Sequence, residues 1–406
     1  PDDWRVVWYR GVASLVHGDH ETAALSFDGG PPGRDRCPSR PSPPRPACPD
    51  TPQLPRKESS VRSVPPSGPL RIGVVGAGSV GAAHVRAAEG ATAYAIAAVC
   101  DTRRSAAERI APPGVPVHTD HAEMFARERL DAVVITAPHA FHAPMTLDAA
   151  AAGLHVLVEK PMATTVDDCT RMTAACERAG VLLAVAHVIH FDPVALRTRE
   201  LLASGRYGTP HLITHRRSSH YDPGSRPDWF FDPAVAGGGI VLNVGTHGLD
   251  RIQWFGDAPV ERVSGVVRGR DGLAVETDAL ALIDLANGIT ASVLLTSRGA
   301  PFFDETEVML DEATLRIAHD EGLSLLRAGR AERLMEGSRG GDAAFRAQLD
   351  GFAAAVRGDE ERARYVDGAW GRSVVAAALA VYRSADEGRT VTLPAPAPAP
   401  APSVSA

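Results

Sequence analysis

The chain has 406 residues, of which 44% are hydrophobic and 22% charged, a balance typical of a folded protein with room for two domains. Its net charge of −7 is mild and no basic stripe could neutralise phosphates, which argues against a nucleic-acid partner. No apolar run reaches the length of a membrane span, so we expect no membrane partner. Five irregularly spaced cysteines favour reduced thiols in the cytoplasm over disulfides or a metal site, and no metal is expected.

Both ends of the chain differ in composition from its middle. Residues 31–69 are dense in proline, which can neither continue a helix nor donate to a strand ladder. Residues 1–68 are therefore predicted to be a disordered, proline-rich extension outside the folded part. The alternating Ala-Pro run over 394–406 predicts a disordered tail.

Between residues 69 and 192, short apolar strands alternate with helices. The strands are apolar on both faces, which is typical of a parallel sheet covered by helices on both sides. They cover residues 71–75, 94–100, 132–136, 155–158 and 181–186, and the helices cover 79–89, 103–110, 121–129, 141–152 and 165–179. This part is predicted to be an α/β domain with a doubly wound parallel sheet.

Residues 193–393 follow a different rhythm, in which strands succeed one another with few helices between them. Strands are expected over 211–217, 260–268, 279–284, 289–297 and 306–310, and helices over 194–204, 343–356 and 369–384. Asn287-Gly288 is a hairpin signal between two of these strands. This part is therefore predicted to be an α+β domain with a mainly antiparallel sheet.

A glycine-rich turn joins the first strand of the α/β domain to its first helix. In Gly76-Ala-Gly78-Ser79-Val80-Gly81, the first glycine permits a tight turn, the second lets a pyrophosphate approach, and the third lets the helix pack on the strand. Asp101 ends the second strand, where a carboxylate accepts ribose hydroxyls. Residues 69–192 are thus predicted to be a Rossmann dinucleotide-binding domain. Asp101 favours NAD, whereas Arg103 and Arg104 leave NADP open.

Lysine is almost absent from the chain. Of 42 basic residues, only Lys57 and Lys160 are lysine, and all others are arginine. A surviving lysine in the folded part is explained either by chance or by a need for an amine that can titrate, which a guanidinium cannot do. We interpret Lys160 as a catalytic candidate for the second reason.

Three further motifs carry a resemblance to a known family. They are Thr136-Ala-Pro138-His-Ala-Phe-His142, then Glu159-Lys160-Pro161, and then Gly237-Gly-Gly-Ile-Val-Leu-Asn243-Val-Gly-Thr-His247-Gly-Leu-Asp250. With the glycine turn they make residues 70–393 resemble the glucose–fructose oxidoreductase / inositol dehydrogenase (Gfo/Idh/MocA) family. The resemblance implies a Rossmann domain, an open-faced sheet domain that mediates a homodimer or homotetramer, and hydride exchange with a carbinol of a sugar or polyol.

The resemblance also implies site residues. Lys160 follows a strand at the cofactor end of the sheet and would act as an acid/base group with His247, while Asn243 would orient groups by hydrogen bonds. Beyond the glycine turn, Asp101 and Arg103, cofactor contacts are expected from Thr136, Pro138, His142, Glu159 and Lys160. Substrate contacts are expected from His187, His190, Trp229, Asn243 and His247.

Three functions remain open from the sequence. The first is an NAD(P)-dependent dehydrogenase of a sugar, cyclitol or related polyol. The second is an NAD-dependent glycoside hydrolase of the same family, which would show no net reduction of cofactor. The third is a cofactor-bound sensor without turnover, against which the retained Lys160 argues.

Overall fold

The computed structural model describes residues 63–64, 68–298, 302–337 and 341–394. The predicted extension and tail lie almost entirely outside these ranges. Val64 is an exception, because its backbone N–H donates to the carbonyl of Val356 at 3.1 Å and its side chain packs on the core of the first domain. This contact of the extension with the folded part is not predicted by its proline-rich composition.

The strands of the described residues fall into two sheets. In chain order they are β1 Leu70–Val75, β2 Tyr94–Cys100, β3 Val117–His118, β4 Ala132–Ile135, β5 His155–Glu159, β6 Leu183–Ala186, β7 Pro210–Ser218, β8 Val260–Gly269, β9 Glu276–Leu285, β10 Thr290–Thr296, β11 Phe303–Leu310, β12 Thr314–Ala318, β13 Gly322–Arg327, β14 Arg330–Met335, β15 Val366–Asp367 and β16 Val391–Thr392. The first sheet has the order β15-β6-β5-β4-β1-β2-β3, and β1 to β6 pair in parallel. The predicted doubly wound sheet is therefore confirmed.

Helices cover both faces of the first sheet and one face of the second. They are α1 Ser79–Ala88, α2 Arg104–Ile110, α3 His121–Arg127, α4 His142–Ala151, α5 Val166–Ala179, α6 Pro193–Ala203, α7 Pro233–Ala236, α8 Thr246–Gly256, α9 Gly341–Val356 and α10 Gly368–Glu387. Several begin at side-chain caps that satisfy unpaired helix N–H groups, such as Asp120 on α3, Thr165 on α5 and Asp367 on α10. None of these helices is both long and apolar enough to cross a membrane.

Late in the sequence the chain returns to the first domain. Leu349 and Phe352 of α9 are fully buried in one core with Leu70 and Ile72 of β1. Strand β15 pairs antiparallel with β6 and extends the parallel sheet. The predicted boundary between residues 192 and 193 therefore does not separate two consecutive domains, because this later segment completes the Rossmann half.

Nine strands form the second sheet in the order β14-β13-β12-β11-β7-β10-β9-β8-β16. All neighbours pair antiparallel except β7 and β10, so the sheet is mainly antiparallel, as predicted. Gly288, at φ +87°, completes the expected hairpin between β9 and β10. Helices α8 and α10 bury the inner face, and residues such as Leu280 and Leu282 remain exposed on the outer face.

Candidate active site

The three glycines of the turn after β1 differ in how much space a side chain would have. Gly76 has φ +101°, and a side chain there would meet the Thr136 carbonyl at 2.7 Å. A Cβ on Gly81 would lie 2.0 Å from the carbonyl oxygen of Gly76. At Gly78, by contrast, a Cβ would meet no atom within 4 Å. The outer two glycines are therefore required by packing, whereas the middle one leaves open space above the turn.

This space fits a dinucleotide phosphate. Helix α1 begins here without a side-chain cap, and Gly78, Ser79 and Val80 are exposed, so the positive end of the helix faces outward. The Asp101 carboxylate accepts the backbone N–H groups of Ala77 (2.8 Å) and Arg103 (2.9 Å). A carboxylate retains acceptor capacity beyond two bonds, so Asp101 can both hold the turn and bind ribose.

We expect alanine substitutions at two of these glycines to separate cofactor binding from folding. Gly78→Ala should leave the free energy of unfolding within about 0.5 kcal/mol but weaken NADH binding roughly tenfold or more, because its methyl occupies the phosphate space. Gly81→Ala should cost about 2 kcal/mol or more of stability, because its Cβ overlaps backbone. Chemical denaturation and titration of NADH fluorescence measure the two effects. Unchanged NADH affinity in Gly78→Ala would contradict the assignment of the phosphate site.

The segment Glu159-Lys160-Pro161 turns sharply at the end of β5. The Glu159 carboxylate faces His84 Nε2 of α1 at 3.0 Å and accepts the backbone N–H of Lys160 at 3.1 Å. The Lys160-Pro161 peptide bond is cis. Glu159 therefore connects α1 to the turn that carries Lys160, a role for which the sequence offers no signal, since His84 and Glu159 lie 75 residues apart.

His142 contacts the same turn through the carbonyl of Pro161. Its Nδ1 lies 2.9 Å from the carbonyl oxygen of Pro161 and its Nε2 lies 2.7 Å from that of Ala137. The ring is 1% exposed, so it joins the ends of β4 and β5 in place of the expected direct cofactor contact. Thr136 similarly donates its hydroxyl to the carbonyls of Val75 and Gly76, and so fixes the glycine turn.

The ammonium group of Lys160 enters a turn of the helical segment that precedes α8. Its Nζ donates to the backbone carbonyl of Asn243 at 2.9 Å, which is its one hydrogen bond within the described part of the chain. Burial lowers the pKa of Lys160 to about 8; the Glu159 carboxylate opposes this shift, and the charges of Arg217 and Arg226 reinforce it. The lysine is thus an amine that gains and loses a proton near neutral pH.

A π-helical turn at Val241–Gly245 shapes the acceptor of this bond. Such turns depart from the regular hydrogen-bond ladder and are frequent at functional sites. The turn is anchored by Glu276, which accepts the N–H groups of Gly239 (2.8 Å) and Val241 (2.9 Å). A Cβ on Gly239 would lie 2.1 Å from the Glu276 carbonyl oxygen, which explains why glycine is needed there.

His247 and Asn243 carry buried polar atoms without partners. Neither His247 Nδ1 nor Asn243 Nδ2 makes a hydrogen bond to any described residue. Burial, reinforced by the charge of Lys160, lowers the pKa of His247 well below its usual 6.5, so the ring is neutral at neutral pH. An unpaired buried donor or acceptor is costly, which indicates that a ligand completes these groups.

His187 and His190, which are predicted to contact substrate, lie around a buried carboxylate. His190 Nε2 is 2.8 Å from Asp250 Oδ1, and His187 Nδ1 is 3.4 Å from Asp250 Oδ2. Trp370 Nε1 donates to the same carboxylate at 2.7 Å. Burial would raise the pKa of Asp250, but His187 and His190 offset it, and the pKa lies well below the usual value. The bond between Asp250 of α8 and Trp370 of α10 therefore helps to hold these two helices together.

Residues 219–232 connect β7 to α7 and reach the Rossmann domain. The Trp229 ring meets the edge of His139, just after β4, with 4.9 Å between ring centroids. His139 Nδ1 in turn lies 2.9 Å from the Ala236 carbonyl oxygen. Arg226 of the same segment lies over the rings of Tyr221 and Phe230. Trp229 thus packs between this segment and the Rossmann domain, and its contact with substrate remains a prediction.

The second sheet contributes charged residues that the sequence analysis did not identify. Arg217 of β7 donates to the Asp304 carboxylate of β11 at 2.9 Å, and Arg251 of α8 donates to the same carboxylate. The charges of Arg217 and Arg251 lower the pKa of His247, and the charge of Asp304 opposes them. Period-two alternation shows that Arg216 and Arg217 lie on opposite faces of a strand, but which face is buried depends on the tertiary packing.

Comparisons with known proteins agree with this architecture. A family model described as "Oxidoreductase family, NAD-binding Rossmann fold" matches residues 70–187, and the Gfo/Idh/MocA C-terminal domain matches 195–316. The chain is 38% identical over 206 residues to a 1-carboxy-3-chloro-3,4-dihydroxycyclohexa-1,5-diene dehydrogenase of Comamonas testosteroni, a match that covers 48% of this chain and 49% of that protein. It is 31% identical over 231 residues to inositol 2-dehydrogenase 2 of Saccharopolyspora erythraea, covering 55% of this chain and 66% of the relative.

A solved structure extends the likeness to the whole folded part. The WlbA dehydrogenase of Bordetella pertussis, solved with NADH and UDP-GlcNAcA, has a TM-score of 0.67 and 26% identity over 80% of this chain and 99% of its own. The chain belongs to the Gfo/Idh/MocA family of oxidoreductases, whose N-terminal domain is an NAD-binding Rossmann fold.

Proposed function

We propose that the chain is an NAD(P)-dependent dehydrogenase that oxidises a secondary alcohol of a cyclic polyol, sugar or related compound. The main support is one arrangement. The half-buried amine of Lys160 makes one hydrogen bond among the described residues, to the carbonyl of Asn243, and His247, one helical turn further along, has a buried Nδ1 without a partner there. The names of the two curated relatives, which describe dehydrogenases of a dihydroxylated ring and of inositol, support the same class of substrate.

The glycine turn, the start of α1 and Asp101 are the residues that would hold the cofactor. NAD, when bound, accepts a hydride from the carbinol carbon. We propose a preference for NAD over NADP because the Asp101 carboxylate, which is largely buried, would repel a ribose phosphate, while the Arg103 side chain is 75% exposed and lies 3.7 Å from Asp101.

The proton of the substrate hydroxyl would go to Lys160. As the C–H electron pair leaves with the hydride, the O–H bond breaks toward the neutral amine, and the carbinol becomes a carbonyl. In the reverse direction the ammonium returns the proton to the developing alkoxide. Substrate, hydride and proton therefore balance without a further reactant.

His247 and Asn243 would orient the substrate. The neutral imidazole of His247 can accept a hydroxyl proton at one nitrogen and donate from the other, so it suits a relay or a positioning hydrogen bond. Asn243 cannot act as a base, and its backbone carbonyl holds Lys160 whatever its side chain is. We therefore expect Asn243→Ala to cost less activity than changes at Lys160 or His247.

The pH dependence of the rate should show whether Lys160 acts as the base. Because Lys160 has a pKa of about 8 and acts as a base only when neutral, kcat/KM for oxidation should rise as pH increases through about 8 and then level off. Reduction of the product carbonyl needs the ammonium and should fall through the same pH. Steady-state rates in both directions, in buffers of constant ionic strength, measure this. Opposite signs, or no change near this pH, would contradict the role of Lys160.

We further propose that the chain forms a homodimer or homotetramer through the outer face of the second sheet. Val266, Leu280, Leu282 and Leu294 expose between 41% and 58% of their surface, and their strands are adjacent. A contiguous exposed apolar patch of this kind is typical of an interface.

Leu280→Glu is expected to convert the assembly to a monomer, because a buried carboxylate without a partner is strongly unfavourable at an interface. Light scattering coupled to size exclusion measures the mass. Tyr365→Glu is a matched control, since this residue is 42% exposed in another part of the fold. A wild-type monomer, or an unchanged oligomer in Leu280→Glu, would contradict the proposed interface.

A screen of sugars and cyclitols with NAD⁺, followed by the absorbance of the reduced nicotinamide, tests the function. We expect net reduction of the cofactor with at least one cyclic polyol. Cleavage of a glycoside without net reduction would favour the hydrolase, and NADH binding without any turnover would favour the sensor.

We also propose a cytoplasmic location, because Cys100, Cys169 and Cys176 are unpaired and buried.

A further inference from the structure

Arg217 and Arg226 bring unused hydrogen-bond donors to the site. Arg217 donates from Nη1 to Asp304 at 2.9 Å, but its Nε is buried and has no partner among the described residues. Arg226 donates from Nε to the His220 carbonyl at 3.2 Å and from Nη2 to the Ser219 hydroxyl at 3.0 Å. A guanidinium has five N–H donors, so Arg226 keeps three that these two contacts do not use.

Arg226 also lacks a countercharge. Its partners are a carbonyl and a hydroxyl, and within the described ranges it forms no ion pair with a carboxylate. Its guanidinium lies 5.9 Å from the ring centroid of Tyr221 and 5.6 Å from that of Phe230, which hold it in the segment beside Trp229. Stacked in this way, the planar group is arranged in advance for bidentate recognition of an anion.

Few carboxylates offset the positive charges at this site. Asp304 is shared by Arg217 and Arg251, so one carboxylate faces two guanidiniums. The Glu159 carboxylate offsets the charge of Lys160, whereas Arg226 has no carboxylate partner among the described residues. A neutral polyol needs no such guanidinium, since one ammonium is enough to stabilise a developing alkoxide. Like charges gathered at a partly buried site repel one another, and a bound anion relieves that repulsion.

We propose that the substrate is an acid, in which a carboxylate is bound by Arg226 with the help of Arg217 while the carbinol lies at Lys160. This inference rests on the proposed dehydrogenase function and specifies its substrate class as a hydroxy acid of a ring or sugar. Arg226 and Arg217 are then specificity residues, because they bind the group that does not react.

The alternative role for these arginines is purely electrostatic: their charge would only lower the proton affinity of Lys160. The two roles differ in a measurable way. An electrostatic effect on Lys160 changes the rates of acidic and neutral substrates equally and shifts the pH profile. Binding of a carboxylate changes only the acidic substrates and acts mainly through KM.

The test compares substrates that differ only in a carboxylate, using glucuronate with glucose, galacturonate with galactose, and a carboxylated cyclohexanediol with its hydroxymethyl analogue. The full chain with saturating NAD⁺ should prefer the acid of at least one pair. Arg226→Gln should then lower kcat/KM for that acid about 10- to 100-fold through KM, and leave the neutral partner within about threefold. Arg216→Gln is the matched control, because Arg216 lies next to Arg217 in β7 but is exposed and pairs with Glu305.

A second readout separates this inference from the proposed function. Binding of each compound to the NADH-loaded protein is titrated by nicotinamide fluorescence, which needs no turnover. Selective binding of an acid that is lost in Arg226→Gln but retained in Arg216→Gln supports the carboxylate site even if no compound is oxidised, in which case only the proposed dehydrogenase function fails. Equal losses for both members of a pair, a preference for the neutral member, or the absence of acid binding would overturn the carboxylate site.

Discussion

Lys160→Arg is expected to lose roughly a hundred- to ten-thousand-fold of turnover while keeping its fold and its affinity for NADH. Arginine preserves the positive charge but cannot release a proton at neutral pH, and its rigid fork is larger than an ammonium. The wild-type amine has a pKa of about 8 and one hydrogen bond, to the Asn243 carbonyl, so it is free to exchange a proton with substrate.

Lys160→Met provides the comparison that separates charge from proton transfer. Methionine keeps the length and apolar stem of the side chain but removes its charge. If Lys160 transfers the proton, both variants should lose most turnover, measured as single-turnover reduction of NAD⁺. Thermal unfolding and NADH titration verify that each variant is folded and binds cofactor. A Lys160→Arg enzyme within a few-fold of wild-type turnover would remove proton transfer by lysine from the mechanism.

His247→Ala is expected to fall in the same range of activity, on the order of a hundred- to ten-thousand-fold, if His247 and Lys160 act as a unit. The free energy of unfolding should fall much less, because the buried Nδ1 of His247 makes no hydrogen bond to a described residue that the substitution could break. Such loss of activity without loss of stability is typical of a group placed for function.

His142→Ala is the matched control for this second prediction. Both nitrogens of His142 face carbonyl oxygens, so its loss should destabilise the fold by about 1–3 kcal/mol. The double variant Lys160→Arg/His247→Ala should lose less activity than the product of the single losses. Strictly multiplicative losses would show that the two residues act independently, and near-wild-type activity of His247→Ala would exclude it from the chemistry.

The Rossmann half could be predicted from the sequence because its strands and its glycine turn are marked by residues close together in the chain. The strands at Tyr94–Cys100 and Ala132–Ile135 are continuous apolar runs. Within the glycine turn, Gly76 has a positive φ and Gly81 lies against the carbonyl of Gly76. The return of α9 to this domain could not be predicted, since its apolar face fits any sheet. Strands β12 to β14 are not predicted either, because they are only five or six residues long and β13 and β14 lack a clear period-two alternation.

The motifs indicate Lys160 and His247 as site residues, and their roles remain predictions. In the structure Lys160 Nζ bonds the carbonyl of Asn243, one turn before His247. The acceptor of Lys160 is a backbone carbonyl in a π-turn, which no side-chain pattern encodes. His187 and His190 were assigned to substrate by position alone, whereas the buried Asp250 provides their partner across 60 or more residues. Contacts between residues this far apart in the sequence depend on tertiary packing, which a single sequence does not show.

The most direct test of the central claim follows the hydrogen atom. A cyclic polyol that is oxidised in the screen is prepared with deuterium on its carbinol carbons and incubated with NAD⁺ and the enzyme. Mass spectrometry of the reduced cofactor then reports whether the deuterium has moved. We predict that the wild type forms deuterated NADH with the matching ketone, and that Lys160→Arg forms it far more slowly. Reduced cofactor without deuterium, or ketone formed without reduction of the cofactor, would contradict the claim that this chain transfers hydride from a carbinol to NAD.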